Sequence, residues 1–97
     1  MRVISKGTLR VYWEKHANCR KDLQMWYMIA VKAQWENPHQ VKIQFPKASI
    51  IENNRVVFDI AGGNYRLIVK FAYKTKIGYI RFIGTHKEYD KINAGEI

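Results

Sequence analysis

The 97 residues suffice for one domain with one core and not for two. Seventeen Lys and Arg face eight Asp and Glu, a formal net charge of +9, which in so small a domain favours a polyanionic partner, nucleic acid first. A 47% hydrophobic fraction with three Trp, six Tyr and four Phe argues against disorder, and one cysteine rules out an internal disulfide.

Cys19 has no histidine arrangement that marks it as a nucleophile, so it reads as a small, partly buried residue in a reducing compartment. The N-terminus lacks an apolar segment of signal-peptide length, and no run approaches the length of a bilayer span. The expectation is a cytoplasmic protein without a membrane partner.

Arg2 to Ile4 reads as a short first strand. Ser5 then serves as N-cap to a helix whose apolar stripe is Leu9, Tyr12, Trp13 and His16, spaced i, i+3, i+4, i+7. Ala17-Asn18 is the expected break. A second helix carries Leu23, Trp26, Tyr27 and Ala30 to about Trp35. Asn37-Pro38 has the form of an N-cap followed by proline at the first helical position, predicting a further short helical turn that Pro46 ends.

From Ser49 the period changes to alternation. Ser49–Glu52, Arg55–Ile60, Tyr65–Tyr73 and Ile77–Ile83 read as strands joined by hairpin-length turns. Thr85-His86-Lys87-Glu88 has the pattern of a capping box and predicts a short helix through Ile92. The sum is one α+β domain over 1–97. Two N-terminal helices cover a mostly antiparallel sheet of four or five strands, and a short helix follows the last strand.

Alternation assigns the faces. Val56, Phe58 and Ile60, then Tyr65, Leu67, Val69 and Phe71, then Ile80 and Phe82, point toward the helices. The opposite, open face is expected to carry Arg55, Arg66, Lys70, Tyr79 and Arg81, with His86 and Tyr89 just beyond it. Ile77 and Ile83 disturb this pattern, since they fall with Tyr79 and Arg81. A single basic residue on a sheet is ordinarily solvated or ion-paired, and Asp59 is available to pair with an arginine. Several together, with few carboxylates among them, suit phosphate binding and base stacking.

The stretch from Val56, VVFDIAGGNYRLIVKFAYKTKIGYIRFIGTHKEYDKI, resembles the C-terminal half of HigB-type toxins, members of the wider RelE-like group of mRNA interferases. GGNYRL, YIRFIGTH and HKEYDKI carry the likeness, and MRVISKGTLRVYWEKH and the WENP segment extend it over nearly the whole chain. The resemblance implies a RelE-like toxin of a type II toxin–antitoxin pair, an endoribonuclease acting on mRNA at the translating ribosome. It also implies a HigA-type helix-turn-helix antitoxin, with operator DNA reached only through that partner. Arg66, after the Gly-Asn-Tyr turn, and His86, at the end of the last strand, fall at expected catalytic positions. Tyr89 matches less securely, because the spacing of the C-terminal tyrosine varies across the group.

RNA can be cleaved without a metal when its own 2′-OH attacks the adjacent phosphate. That reaction needs a base, an acid and positive charge at the phosphorane. Arg66 and Arg81 suit the charge, His86 the proton transfer, and Tyr89 or Tyr79 a phosphate hydrogen bond or a stacked base. Arg55 and Lys70, with the hairpin lysines Lys74 and Lys76, are the expected RNA-binding residues. His16, His39 and His86 have no metal-ligand spacing, so no cofactor is expected. His16 reads as core. A non-catalytic RNA-binding module on the same fold is the alternative.

Overall fold

A computed structural model describes all residues from Met1 to Ile97. In chain order the elements are β1 (Arg2–Ile4), α1 (Lys6–Lys15), α2 (Ala17–Lys32), α3 (Pro38–Gln44), β2 (Ser49–Ile51), β3 (Arg55–Ile60), β4 (Tyr65–Ala72), β5 (Ile77–Thr85) and α4 (His86–Tyr89). The five strands form one sheet in the order β1-β5-β4-β3-β2. β2 to β5 make the expected antiparallel meander, and β1 joins parallel to β5 through Arg2–Ile77, Val3–Gly78 and Ile4–Tyr79. No helix is long and apolar enough to cross a membrane.

The helices pack where their apolar stripes predict. Leu9 and Trp13 of α1 and Cys19, Leu23, Trp26 and Ala30 of α2 are buried against Val56, Phe58, Leu67, Val69 and Phe71 of the sheet. Phe58 sits at the centre, with ring centroids 5.3 Å from Trp26, 5.1 Å from Phe45 and 6.3 Å from Phe71, all edge-on. Edge-to-face pairs each contribute about 0.5–1.5 kcal/mol beyond burial. The Asn37 carboxamide oxygen accepts from the Gln40 N–H at 3.0 Å, capping α3 as its sequence predicts.

Several boundaries differ from the sequence reading. The break between α1 and α2 is the single residue His16, not Ala17-Asn18. Its N–H donates to the Tyr12 carbonyl at 2.9 Å, and its own carbonyl accepts from the Cys19 N–H at 3.1 Å. One residue therefore closes α1 and opens α2. His16 is half-exposed and stacked on Tyr12 at 3.9 Å, so it is a boundary residue and not part of the core. α2 stops at Lys32, because Ala33 turns extended and frees Trp35 to pack on Phe45 and Phe71. α4 ends at Tyr89 instead of Ile92.

The face assignment needs two corrections. In β5, Ile68 pairs with Phe82 but Val69 pairs with Ile80, leaving Arg81 as an extra, bulged residue. The bulge shifts the alternation by one. Ile83 therefore packs against the core, while Phe82 moves to the other face; Ile77, before the bulge, stays on the face of Tyr79. The second correction is that the supposed open face is partly covered. After α4 the chain turns back across the sheet: Asn53 Nδ2 donates to the Gly95 carbonyl at 2.7 Å, and Arg55 and Arg81 both donate to the Ile97 carbonyl. Beneath it, Val57 and Ile68 are fully buried.

Candidate active site

The β3–β4 turn positions Arg66. Ala61, Gly62 and Gly63 all take positive φ. At Gly63 the demand is twofold, since φ is +92° and a Cβ there would lie 2.9 Å from Arg66 Nη1. The turn thus places a carbonyl beside the guanidinium, and Arg66 Nη1 donates to Gly63 O at 2.6 Å. Asp59, the cross-strand partner of Arg66, sets its Oδ1 3.1 Å from the same nitrogen. The side chains are 17% and 34% exposed, so the pair is shielded from solvent without being sealed from it. Anchoring through Nη1 leaves Nε and Nη2 to meet an anion in two-point geometry. The Tyr89 ring lies over the guanidinium, 5.8 Å from Cζ to centroid.

His86 opens α4 on the neighbouring strand end. Thr85 caps the helix: its Oγ1 accepts from the Glu88 N–H at 3.2 Å, and Glu88 Oε1 accepts from the Thr85 N–H at 2.8 Å. Those bonds, the Thr85 backbone N–H first, hold the Glu88 carboxyl below its ordinary value of 4.5. The His86 N–H donates to the Asn64 carbonyl at 3.0 Å, tying α4 to the glycine turn. Since Thr85 and Glu88 perform the capping, the imidazole is free for another role. Its Nδ1 lies 2.9 Å from Asp90 Oδ2, one helical turn on, and the side chain is 52% exposed. With Nδ1 engaged by the carboxylate, Nε2 is the ring nitrogen without a partner, the arrangement that suits proton transfer.

Arg66, Tyr89 and His86 thus gather at one end of the sheet. The other sequence-predicted residues divide. Arg81, on the bulge, is exposed, and its Nε donates to the Ile97 carbonyl at 3.2 Å. Arg55 is buried instead of facing RNA: Nε and Nη2 donate to the Ile97 carbonyl at 2.9 and 2.6 Å, and Nη1 to the Asn53 carbonyl at 3.0 Å. Lys70 and Tyr79 are cross-strand partners, with Lys70 exposed. Lys74 and Lys76 occupy the β4–β5 hairpin at the far end, roughly 25 Å from Arg66 at about 3.3 Å per strand residue. Lys76 Nζ donates to the Trp35 carbonyl at 3.3 Å. Sequence reading missed two partners, the Gly63 carbonyl and Asp90. The i, i+4 spacing of His86 and Asp90 on a predicted helix was the available signal for the second.

The protein is thus, by class, a small basic α+β domain with an anchored arginine and a carboxylate-paired histidine at one end of its sheet. Sequence comparison narrows the class. The sequence model of the HigB toxin family, the RelE-like toxic component of a toxin–antitoxin system, matches residues 19–92, and the chain belongs to that family. It is 27% identical over 94 residues to the mRNA interferase HigB of Escherichia coli O6:H1 strain CFT073, covering 95% of this chain and 91% of the relative. Over 96 residues it is 26% identical to the mRNA interferase toxin HigB of E. coli K12 and to the mRNA interferase HigB of Shigella flexneri, covering 97% of this chain and 92% of each.

Proposed function

We propose that this chain is the endoribonuclease toxin of a type II toxin–antitoxin pair and cleaves mRNA on the translating ribosome. The observation that carries the reading is the arginine pinned by Asp59 and Gly63 beside the oriented His86, on a chain aligned almost end to end with mRNA interferases. The reaction is attack of a ribose 2′-OH on the adjacent phosphorus. The P–O5′ bond breaks, leaving a 2′,3′-cyclic phosphate and a 5′-hydroxyl. Arg66 offers Nε and Nη2 to the non-bridging oxygens, whose charge grows in the phosphorane. His86 exchanges a proton at Nε2 while Asp90 steadies Nδ1, acting on either the 2′-OH or the departing O5′, and solvent water carries the other proton transfer. Tyr89, its ring centroid 5.8 Å from the guanidinium carbon, braces Arg66 and presents its hydroxyl to the phosphate. Arg81 adds charge from the bulge.

Lys70 and Tyr79 continue the track along the sheet for the RNA backbone. Lys74 and Lys76, at the other end of that track, contact ribosomal or messenger phosphate. Arg55 serves RNA binding only indirectly, by holding the segment that ends at Ile97. The antitoxin is of the HigA type, and the toxin works in the cytoplasm. Primer extension on a reporter mRNA in a bacterial translation extract tests the reading. New 5′ ends inside the reading frame are expected with the wild type and not with Arg66→Ala. Intact message in the presence of folded wild-type protein would leave a binding module and remove the catalytic assignment.

A further inference from the structure

α2 carries an apolar surface that neither the core nor the catalytic site uses. Met25 and Met28 are 62% and 58% exposed, although they stand on the best-packed helix of the domain. With Ile29 and Ala33 they line a groove of about 480 Å³ between α2 and the Gln44 end of α3. Ile43, the residue before Gln44, is 66% exposed. Methionines more than half exposed and one turn apart contribute little to a monomer's core. Their flexible, polarisable chains suit a surface that moulds itself to a partner.

The charge around the groove states what that partner is like. Lys21 and Lys32 line it, one toward each end of α2, and no carboxylate does. Asp22 instead lines a smaller adjoining hollow that shares Met25 and Ile29 with the groove and also holds Asp59 and Gly62. The dimensions also discriminate. Lys21, Met25, Met28 and Lys32 are spaced i, i+4, i+7, i+11, a straight stripe about three turns or roughly 17 Å long. Such a stripe matches the apolar face of one helix with acidic residues toward the two ends of that face. RNA is a poor fit, because the floor is aliphatic and thioether, with no exposed aromatic ring to stack a base.

We infer that the Met25–Met28 groove is the docking site for an acidic amphipathic helix of the antitoxin. This rests on the toxin reading for the existence of the partner and not on the cleavage chemistry. No residue of the groove belongs to the Arg66–His86–Tyr89 group, so the toxin grips its antitoxin with one set of side chains and cuts with another. Toxin variants are then separable into those that fail to bind and those that fail to cleave.

The test uses the full chain with Met25→Glu and Met28→Glu together, co-expressed with the antitoxin carrying the affinity tag. Isothermal titration is expected to show at least a hundredfold weaker antitoxin binding. mRNA cleavage in the translation extract stays within twofold of wild type, and the extract is no longer protected by added antitoxin. Lys21→Glu with Lys32→Glu, which leaves the apolar floor intact, is expected to weaken binding about tenfold, more at low salt than at high. Arg66→Ala should bind as wild type does. Antitoxin affinity within threefold of wild type for folded Met25→Glu/Met28→Glu overturns the inference. So does loss of ribosome-dependent cleavage with antitoxin binding retained, which assigns the groove to the ribosome. If wild-type protein binds through the groove but leaves mRNA intact, the interferase reading fails while this one stands.

Discussion

Replacing Asp59 with Asn tests whether the arginine is held in place or merely present. Asn keeps the size and the acceptor oxygen and removes the charge. Arg66 then has a neutral in place of a charged anchor on Nη1, keeping the Gly63 carbonyl at 2.6 Å. For a pair 17% and 34% exposed, the stability loss is about 0.5–1 kcal/mol, near the upper end for exposed ion pairs and well below a broken buried one. In a domain of this size that lowers Tm by about 3–5 °C. Catalysis is more sensitive to position. Arg66→Ala removes a charged donor at the phosphorane and is expected to slow cleavage about 10²–10³-fold, some 3–4 kcal/mol. Asp59→Asn leaves the donor but lets it wander, a loss of about 1 kcal/mol or roughly fivefold in rate. Single-turnover cleavage on stalled ribosomes, beside thermal melting, measures both. Wild-type rates in Asp59→Asn alongside an inactive Arg66→Ala would show that Gly63 alone fixes the guanidinium. A hundredfold loss with near-normal melting would place the carboxylate in the chemistry itself. Full activity in a folded Arg66→Ala would falsify the site.

Gly63→Ala combines a left-handed φ with a Cβ 2.9 Å from Arg66 Nη1. It is expected to lower stability by about 1–2 kcal/mol and to reduce cleavage more than Gly62→Ala, whose Cβ meets nothing within 4 Å; equal activity of the two variants refutes the close-approach argument. Arg55→Ala strips the buried donors from the Ile97 and Asn53 carbonyls. The expected result is about 1–3 kcal/mol of lost stability and faster amide exchange around Gly95 and Ile97, with kcat unchanged; a selective rise in KM at unchanged stability would instead return Arg55 to the RNA-binding set. Glu88 titrates below its ordinary value, so its contribution to α4 is complete above about pH 4.5 and is lost as pH falls through the lower folded-state value. NMR of the Glu88 carboxyl and the Thr85 amide follows this directly, and a midpoint at or above 4.5 would refute the capping-box assignment. At the alkaline end, burial pushes the Tyr12 and Tyr73 hydroxyls up to about 12. Stability should therefore fall as pH rises from about 10 toward 12, and a melting temperature flat across that window would contradict it.

Periodicity and punctuation were enough to read most of this fold from the residues. The 3.6-residue stripes through Leu9–Trp13 and Leu23–Ala30, the Asn37-Pro38 cap, the Thr85–Glu88 capping box and the alternation from Ser49 are local signals. Each is enforced by backbone hydrogen bonding or by burial on one side of an element. The likeness to HigB toxins was equally legible, because GGNYRL and HKEYDKI are contiguous in the chain. Arg66 and His86 were singled out as candidates for the same reason.

What the residues alone did not decide was everything set by contacts distant in sequence. The bulge at Arg81 follows from register between two strands, and a one-residue slip reverses which side Phe82 and Ile83 face. Arg55 was misread because alternation places it on a face but is silent on what covers that face. The answer lay 42 residues away, at the Ile97 carbonyl. The parallel pairing of β1 with β5 and the groove at Met25 and Met28 likewise appear only once helices and sheet are assembled. Local propensity acts over a few residues, whereas burial is a property of the packed chain. A sequence therefore shows which side chains can do chemistry, and tertiary packing decides which of them are left free to do it.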